Sequence, residues 1–153
     1  MSRPSAPLDE VVVWSDGGAR GNPGPAGYGV VVTTPSGQVL AQLAEGIGWA
    51  TNNVAEYRGA IAGLEQALVL GARRERVRAD SLLIVNQQNG LWKVKNPALR
   101  ELWAETRRLA GQFERVTWEH VPRERNRHAD ALANRAMDAQ GTVEGPVQGL
   151  PRS

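Results

Sequence analysis

Three strand-like segments come before the first helical segment, and this order is the strongest constraint on the fold. Residues 11–16 are mostly apolar and end in Gly-Gly, residues 27–34 follow a loop rich in Gly and Pro, and residues 38–46 follow a Pro-Ser-Gly turn. Short turns of this kind join neighbouring antiparallel strands. The pattern therefore predicts that the domain begins with an antiparallel meander of three strands.

The rest of the chain alternates between helical and strand-like patterns. Apolar residues recur at helical spacing in four segments, and two short segments between them are typical of strands. The predicted helices are 51–71, 81–88, 97–110 and 126–137, and the predicted strands are 76–80 and 114–121. The order β-β-β-α-β-α-α-β-α predicts an α/β fold with a five-stranded mixed sheet and helices on both faces.

Four acidic residues lie where a predicted strand gives way to a loop or where a helix begins. They are Asp16, Glu56, Asp80 and Asp130. They are far apart in sequence, so only the fold can bring them together. Ligands of open α/β sheets bind beyond the strand ends. Carboxylates gathered there repel one another unless divalent cations neutralise them. A metal-dependent site is therefore the leading hypothesis.

Each acid also has an ordinary structural explanation. Asp16 before Gly-Gly can start a turn, and Glu56 stands three residues after Asn53, close to a capping box. Asp80 can cap the next helix, and Asp130 can complement a helix dipole. Each explanation is adequate for one residue, but all four coincidences together favour a common site.

Cysteine is absent and histidine occurs twice, so oxygen atoms are the expected metal ligands. Oxygen ligands suit Mg²⁺, with Mn²⁺ as the expected substitute. Four carboxylates can hold two such ions roughly 3.5–4 Å apart, an arrangement that serves phosphodiester hydrolysis. The sequence therefore predicts a two-metal site.

The 153 residues suit one domain, which we place at 11–138, after an N-terminal extension at 1–10. Residues 139–153 lack a periodic apolar face, so we expect a disordered tail. The net charge of +2 does not by itself indicate a nucleic-acid partner. No signal peptide or apolar run of about 20 residues is found, so we expect a cytoplasmic protein without a membrane partner. We expect a monomer because the predicted fold is a closed active unit.

Four segments in chain order resemble ribonuclease H type 1 and together span roughly residues 11–138. They are SDGGARGNPGPAGYG, TNNVAEYRGAIAGLEQAL, ADSLLIVNQQNGLWKVKNP and VPRERNRHADALANRAMD. The resemblance implies the ribonuclease H-like fold. It also implies an endonuclease that cuts the RNA strand of RNA/DNA hybrids by a two-metal-ion mechanism and leaves 3′-hydroxyl and 5′-phosphate ends. The metal-binding catalytic acids are then Asp16, Glu56, Asp80 and Asp130.

The same resemblance implies which residues contact the substrate. Gly17, Asn22, Asn52 and Asn53 match residues that line the minor groove of the hybrid, and Thr51 matches a residue that binds a DNA-strand phosphate. Neutral amides can donate to and accept from ribose 2′-hydroxyls without reading base sequence, and the 2′-hydroxyl marks the RNA strand.

The chain departs from the family pattern beside two of the acids. Many members carry a histidine in the loop before the last acid, whereas HVPRERNRHAD has none in an obvious position. Arg123, Glu124 and His128 are the candidates to replace it, and an unassisted step is the other possibility. Leu82 stands where a polar residue is expected. Trp92 is either a contact to the DNA backbone or a core residue.

Two alternative functions stay open. The first alternative to the hybrid-cleaving enzyme is another metal-dependent nuclease of the same fold, such as an exonuclease or integrase core. Fold-level analogy alone does not separate these two. The other alternative is a non-catalytic module that binds hybrids. Such a module should lack one or more of the acids, and this chain has all four.

Overall fold

A computed structural model describes residues 9–142, which form five strands and four helices in the predicted order. The strands are β1 Glu10–Ala19, β2 Gly24–Thr33, β3 Val39–Ala50, β4 Arg74–Ala79 and β5 Arg115–His120. The helices are α1 Asn52–Val69, α2 Leu82–Gln88, α3 Pro97–Ala110 and α4 Arg127–Ala139, with a 3₁₀ turn at Arg123–Arg125 before α4.

The strands form one mixed sheet in the order β3-β2-β1-β4-β5. β1 pairs antiparallel with β2, and β2 with β3, whereas β4 is parallel to both β1 and β5. The predicted mixed sheet with an antiparallel start is confirmed. β1 is the strand at which the antiparallel and parallel halves of the sheet meet.

β1 is longer than the sequence pattern predicts. Its parallel pairing with β4 ends at Ser15, opposite Ala79, but its antiparallel pairing with β2 continues to Ala19. Asp16 therefore lies inside a strand, and the interpretation of Asp16 as the start of a turn is wrong. Gly-Gly does not end the strand because residues 17 and 18 pair with β2 like their neighbours.

Helices cover both faces of the sheet, as predicted. On one face, Val11 and Val13 of β1 pack in a large core with Leu64 of α1 and Leu109 of α3. On the other face, Val31, Ala44, Leu132 and Ala136 form a smaller core under α4. Neighbouring residues of a strand point to opposite faces, so β1 and β2 supply side chains to both cores.

Glycines in β2 allow α4 to lie close to the sheet. A Cβ atom on Gly29 would collide with the carbonyl oxygen of Ala129 and the side chain of Leu132. A Cβ atom on Gly27 would lie 2.9 Å from Cβ of Ala136. The absence of side chains at these two positions sets the height of α4 above the sheet.

The end of the described chain is attached to β3. α4 continues to Ala139, and the amide of Gly46 donates to the carbonyl oxygen of Gly141 at 2.8 Å. Oε1 of Gln140 accepts from the amide of Gly48 at 2.8 Å, and Thr142 forms a bridge with Glu45. The expectation of disorder from residue 139 is therefore wrong for residues 139–142. Residues 1–8 and 143–153 lie outside the described residues.

Within residues 9–142, none of the helices has the length and apolar character that a membrane crossing requires.

Candidate active site

Three of the predicted acids converge. One carboxyl oxygen from each of Asp16, Glu56 and Asp80 lies within 4.8 Å of the other two. The register of the sheet explains part of this, because Ser15 pairs with Ala79 and the two aspartates follow those residues in parallel strands. Glu56 comes from the start of α1, which packs against β1. An atom set of this size and chemistry can hold a divalent cation.

Gly17 lets the start of α1 approach this cluster. A Cβ atom at Gly17 would lie 2.5 Å from the carbonyl carbon of Ala55 and 2.7 Å from the backbone nitrogen of Glu56. Any side chain would therefore push α1 away from β1. Gly17 thus has a structural role beside Glu56, in addition to the substrate contact predicted for it.

Asp130 completes the group from the other face of the sheet. It lies in the first turn of α4, where a carboxylate complements the helix dipole, and it is close enough for its charge to raise the pKa of Asp16. Asn126, at the N-cap of α4, donates from Nδ2 to the carbonyl oxygen of Ser15 at 2.9 Å. This bond fixes the start of α4 to β1. All four predicted acids therefore lie together.

Burial and mutual repulsion make the group unfavourable without a cation. Burial, followed by the charges of Asp80 and Asp130, raises the pKa of Asp16 to about 8. Burial and the charges of Asp16 and Asp80 raise the pKa of Glu56 well above its usual value. Oε1 of Glu56 and Oδ1 of Asp80 are buried and have no hydrogen-bond partner in the described part of the chain. A divalent ion would satisfy these oxygens and offset the repulsion, so the residues fit a metal site.

The capping interpretations of two acids are wrong. Oγ1 of Thr51 accepts from the amide of Val54 at 3.2 Å and caps α1, and Oγ of Ser81 accepts from the amide of Ile84 at 3.3 Å and caps α2. Neither Glu56 nor Asp80 caps its helix, so both carboxylates are available to the acidic cluster.

The predicted substrate residues lie around the start of α1. Oδ1 of Asn22 accepts from the amide of Asn52 at 2.9 Å, and Oδ1 of Asn52 accepts from the amide of Ala19 at 2.8 Å. Asn53 is exposed on the first turn of α1. Within residues 9–142 the side-chain NH₂ groups of these three asparagines have no acceptor in the protein, so their donors face outward. Thr51 is exposed beside them.

The structure separates the three candidates for the missing loop histidine. Nη2 of Arg123 lies 3.4 Å from Oδ1 of Asp130, and the Arg123 side chain is 75% exposed. Glu124 and His128 instead line a groove on the α4 face of the sheet. Arg123 is therefore the candidate that contacts the acids. The sequence did not single out Asn126, although an asparagine at the first position of a predicted helix was a signal for a positioning residue.

Two side chains near α2 are more exposed than a core position would be. Trp92 is 46% exposed, so the interpretation of Trp92 as a core residue is wrong. Leu82, two residues after Asp80, is 48% exposed at the start of α2.

Comparison with known proteins identifies the family. Residues 14–136 match a family model described as reverse transcriptase-like. RNase H1 of Halobacterium salinarum is 43% identical and superposes with a TM-score of 0.82, and the alignment covers 84% of this chain and 98% of that chain. The chain belongs to the ribonuclease H family. Its fold is the ribonuclease H-like fold that the sequence motifs predicted.

Two further ribonuclease H structures are similar. The N-terminal RNase H domain of a Mycobacterium tuberculosis protein is 57% identical with a TM-score of 0.84, covering 86% of this chain and 95% of that chain. The chain spans about a third of the full M. tuberculosis bifunctional protein, 36% of its length. LC11-RNase H1, solved in complex with an RNA/DNA hybrid, is 43% identical with a TM-score of 0.81, covering 84% of this chain and 96% of that chain.

Proposed function

We propose that this ribonuclease H family member is an endonuclease that hydrolyses the RNA strand of RNA/DNA hybrids and leaves 3′-hydroxyl and 5′-phosphate ends. The observation that carries the proposal is the convergence of carboxyl oxygens from Asp16, Glu56 and Asp80, with Asp130 beside them. The similarity to LC11-RNase H1, solved with an RNA/DNA hybrid, supports the choice of substrate.

The four acids would hold two Mg²⁺ ions, with Mn²⁺ as a substitute. Asp16 lies between Asp80 and Asp130, both of which act on its carboxyl group, so it is the residue proposed to bridge the two ions. Glu56 and Asp80 each present a buried oxygen that has no hydrogen-bond partner among residues 9–142, and these oxygens are proposed as ligands. Asp130 is the proposed ligand on the water side. When bound, the ions would supply activation of the attacking water and stabilisation of the leaving oxygen.

The asparagines around the start of α1 are proposed to recognise the hybrid. Internal hydrogen bonds hold the Oδ1 atoms of Asn22 and Asn52, which fixes the orientation of both side-chain amides. Their outward NH₂ groups, with that of Asn53, can then donate to ribose 2′-hydroxyls and to minor-groove acceptors. Thr51 and Gly17 complete the proposed contact surface, with Thr51 at a DNA-strand phosphate.

Arg123 is proposed as a mobile cation at the mouth of the site. Its exposed guanidinium contacts Asp130 and can move to a substrate or product phosphate, which Arg binds well. It therefore provides positive charge where many relatives have a histidine.

The first experiment compares four labelled substrates with and without Mg²⁺: an RNA/DNA hybrid, double-stranded RNA, double-stranded DNA and single-stranded RNA. We expect metal-dependent internal cuts in the RNA strand of the hybrid alone, with 5′-phosphate on the products. Shortening of the hybrid only from its ends would instead favour an exonuclease of the same fold. Hybrid binding without cleavage would favour the non-catalytic module.

The second experiment replaces the proposed bridging acid. Asp16→Asn should lower hybrid hydrolysis by roughly 10³-fold or more, because removing a shared ligand disturbs both ions. Asp9→Asn is the matched control, because Asp9 is exposed just before the opposite end of β1 and should leave the rate unchanged. Activity of Asp16→Asn close to that of the Asp9 control would contradict the assignment.

A cytoplasmic location and a monomeric state stay predictions. Light scattering on the purified chain would test the monomer directly.

A further inference from the structure

α4 covers only part of its face of the sheet and leaves a groove beyond its N-terminus. The helix packs over Gly27, Gly29 and Val31 of β2, and the groove is lined by Thr33 at the end of β2 and by residues 124–129 at the start of α4. A cavity of about 410 Å³ lies there. This volume falls within the roughly 300–1,000 Å³ of small-molecule sites.

The floor of the groove is apolar and aromatic. Val12, Trp14, Val31 and Val39 of β1, β2 and β3 line it. Val12 and Val31 are only 3% and 1% exposed, so Trp14 and Val39 are the partly exposed members of this set. Trp14 is partly exposed, and its indole nitrogen donates to Oγ1 of Thr33 at 3.4 Å. The guanidinium of Arg78 lies 4.9 Å from the centre of the Trp14 ring. Such a floor suits the face or edge of a planar ring.

The walls of the groove carry an excess of positive charge. Arg78, Arg125, Arg127 and His128 line it, against one acidic residue, Glu124. Arg78 is paired with Glu119 at 2.9 Å. Arg125 and Arg127 are exposed, and within residues 9–142 neither forms an ion pair. Their guanidinium groups are available to a ligand anion.

A buried polar atom also lines the groove without a partner. Asn126 is 1% exposed, and its Nδ2 is used by the carbonyl oxygen of Ser15, but its Oδ1 has no hydrogen-bond partner among residues 9–142. The side chain of Asn126 does not cap α4. An unpaired buried acceptor is costly unless a ligand or water donates to it.

We propose that this groove is a second binding site, separate from the carboxylate cluster, for a small planar aromatic anion. The ring lies against Trp14 and Val39, and the anionic group contacts Arg125 and Arg127. None of the four acids lines the groove, but segment 124–129, which forms its wall, leads directly to Asp130. The proposal does not depend on the proposed hydrolysis, because binding is measured in protein without metal or nucleic acid.

The probe is naphthalene-2-sulfonate, titrated into ¹⁵N-labelled protein and followed by ¹H–¹⁵N correlation spectra. The chain has five tryptophans, and Trp14→Phe identifies the Trp14 indole signal by its loss. We expect saturable shifts at the Trp14 indole and at the amides of residues 127–129. No saturable shift at these signals up to millimolar probe would overturn the proposal.

Charge reversal tests the anionic part of the proposal. Arg127→Glu should raise the dissociation constant by at least about threefold, because it replaces attraction of the sulfonate by repulsion. Arg100→Glu makes the same change on the exposed surface of α3 and should leave the constant unchanged. Both substitutions are at exposed positions, so we expect both variants to fold. The ¹H–¹⁵N spectra of the variants check this. Equal binding of neutral 2-naphthalenemethanol, or equal affinity of both variants, would overturn the assignment of an anion.

Discussion

At the level of single residues, burial determines how much free energy is needed to ionise a carboxyl group. Glu75 lies in the middle of the sheet, between Val11 of β1 and Val116 of β5. It shares a face with Val77 in the larger core and is 1% exposed, and neither carboxyl oxygen has a hydrogen-bond partner within residues 9–142. Burial raises the pKa of Glu75 from its ordinary 4.5 to about 8. Glu75 therefore differs from the clustered acids, because among residues 9–142 it does not belong to a group of side chains that could hold a metal ion.

Glu75 should make the free energy of unfolding depend on pH. Its pKa is higher in the folded than in the unfolded state, so its favourable contribution is complete below pH 4.5 and is lost as pH rises toward 8. Glu75→Gln lacks this loss. Between pH 4.5 and 8, the free energy of unfolding of the variant, measured by urea unfolding, should rise relative to that of wild type by on the order of a few kcal/mol. Glu101→Gln, on the exposed side of α3, is the control. A pH-independent difference for Glu75→Gln would contradict this account.

Arg123 should compete with metal for Asp130. Its guanidinium lies 3.4 Å from Oδ1 of Asp130, and exposed ion pairs contribute at most about 1 kcal/mol. Arg123→Gln should therefore lower the dissociation constant for Mg²⁺ by up to about fivefold, as measured by calorimetric titration without nucleic acid. Arg125→Gln removes a charge two residues away that forms no ion pair within residues 9–142, and it should change the constant little. Weaker Mg²⁺ binding by Arg123→Gln would show that Arg123 supports the ion instead.

At the scale of secondary-structure elements, the site depends on how closely two helices approach the sheet. Gly17 sets the position of α1 and hence of Glu56, and Gly29 sets the position of α4 and hence of Asp130. The two helices lie on opposite faces, and the four acids meet where the ends of both reach β1 and β4. The distance between the acids is therefore determined by backbone packing more than by side-chain conformation.

Gly29→Ala should separate α4 from β2. The added Cβ meets the carbonyl oxygen of Ala129, so the helix must move, and overpacking of this kind costs roughly 1–3 kcal/mol. A shift of about 1 Å at Asp130 would lower hybrid hydrolysis by about a hundredfold. Gly111→Ala is the control, because its Cβ has only ordinary contacts at 3.5 and 3.6 Å. Unfolding and activity are measured on the same preparations. Full activity of Gly29→Ala would show that α4 tolerates the added methyl.

At the scale of the whole molecule, residues after α4 hold the edge of the sheet. The side-chain amide of Gln140 donates to the carbonyl oxygen of Ala26 at 3.1 Å and accepts from the amide of Gly48. The carbonyl of Gly141 accepts from Gly46. These bonds join the end of α4 to both β2 and β3, which are far from it in sequence. They connect the smaller core to the edge of the sheet.

A chain that ends at Asp138 should be less stable than one that ends at Thr142. The shorter chain loses the three hydrogen bonds that join Gln140 and Gly141 to β2 and β3. Each contributes about 1 kcal/mol, so we expect a loss of roughly 2–3 kcal/mol in the free energy of unfolding. Urea unfolding of the two truncated chains gives the difference. Gln140→Ala in the longer chain should account for part of it. Equal stability of the two truncated chains would contradict the role of residues 140–142.

Patterns readable along the chain predicted the order of the elements, the mixed sheet and the four acids. Hydrophobic periodicity and turn residues are local signals, so they predicted which segments are strands and helices. The family motifs are also readable along the chain, and they identified Asp16, Glu56, Asp80 and Asp130 before any contact was known. Element ends were less accurate, as β1 shows, because strand length depends on the pairing partner.

The neighbours of each acid depend on packing between distant segments, and no sequence pattern indicated them. The capping roles considered for Glu56 and Asp80 belong to Thr51 and Ser81, and Arg123 rather than Glu124 or His128 contacts Asp130. The attachment of residues 140–142 to β3 and the groove beside Trp14 were likewise invisible in the sequence. These features depend on distances between segments far apart in the chain, and such distances are fixed by sheet register and helix packing rather than by local preference.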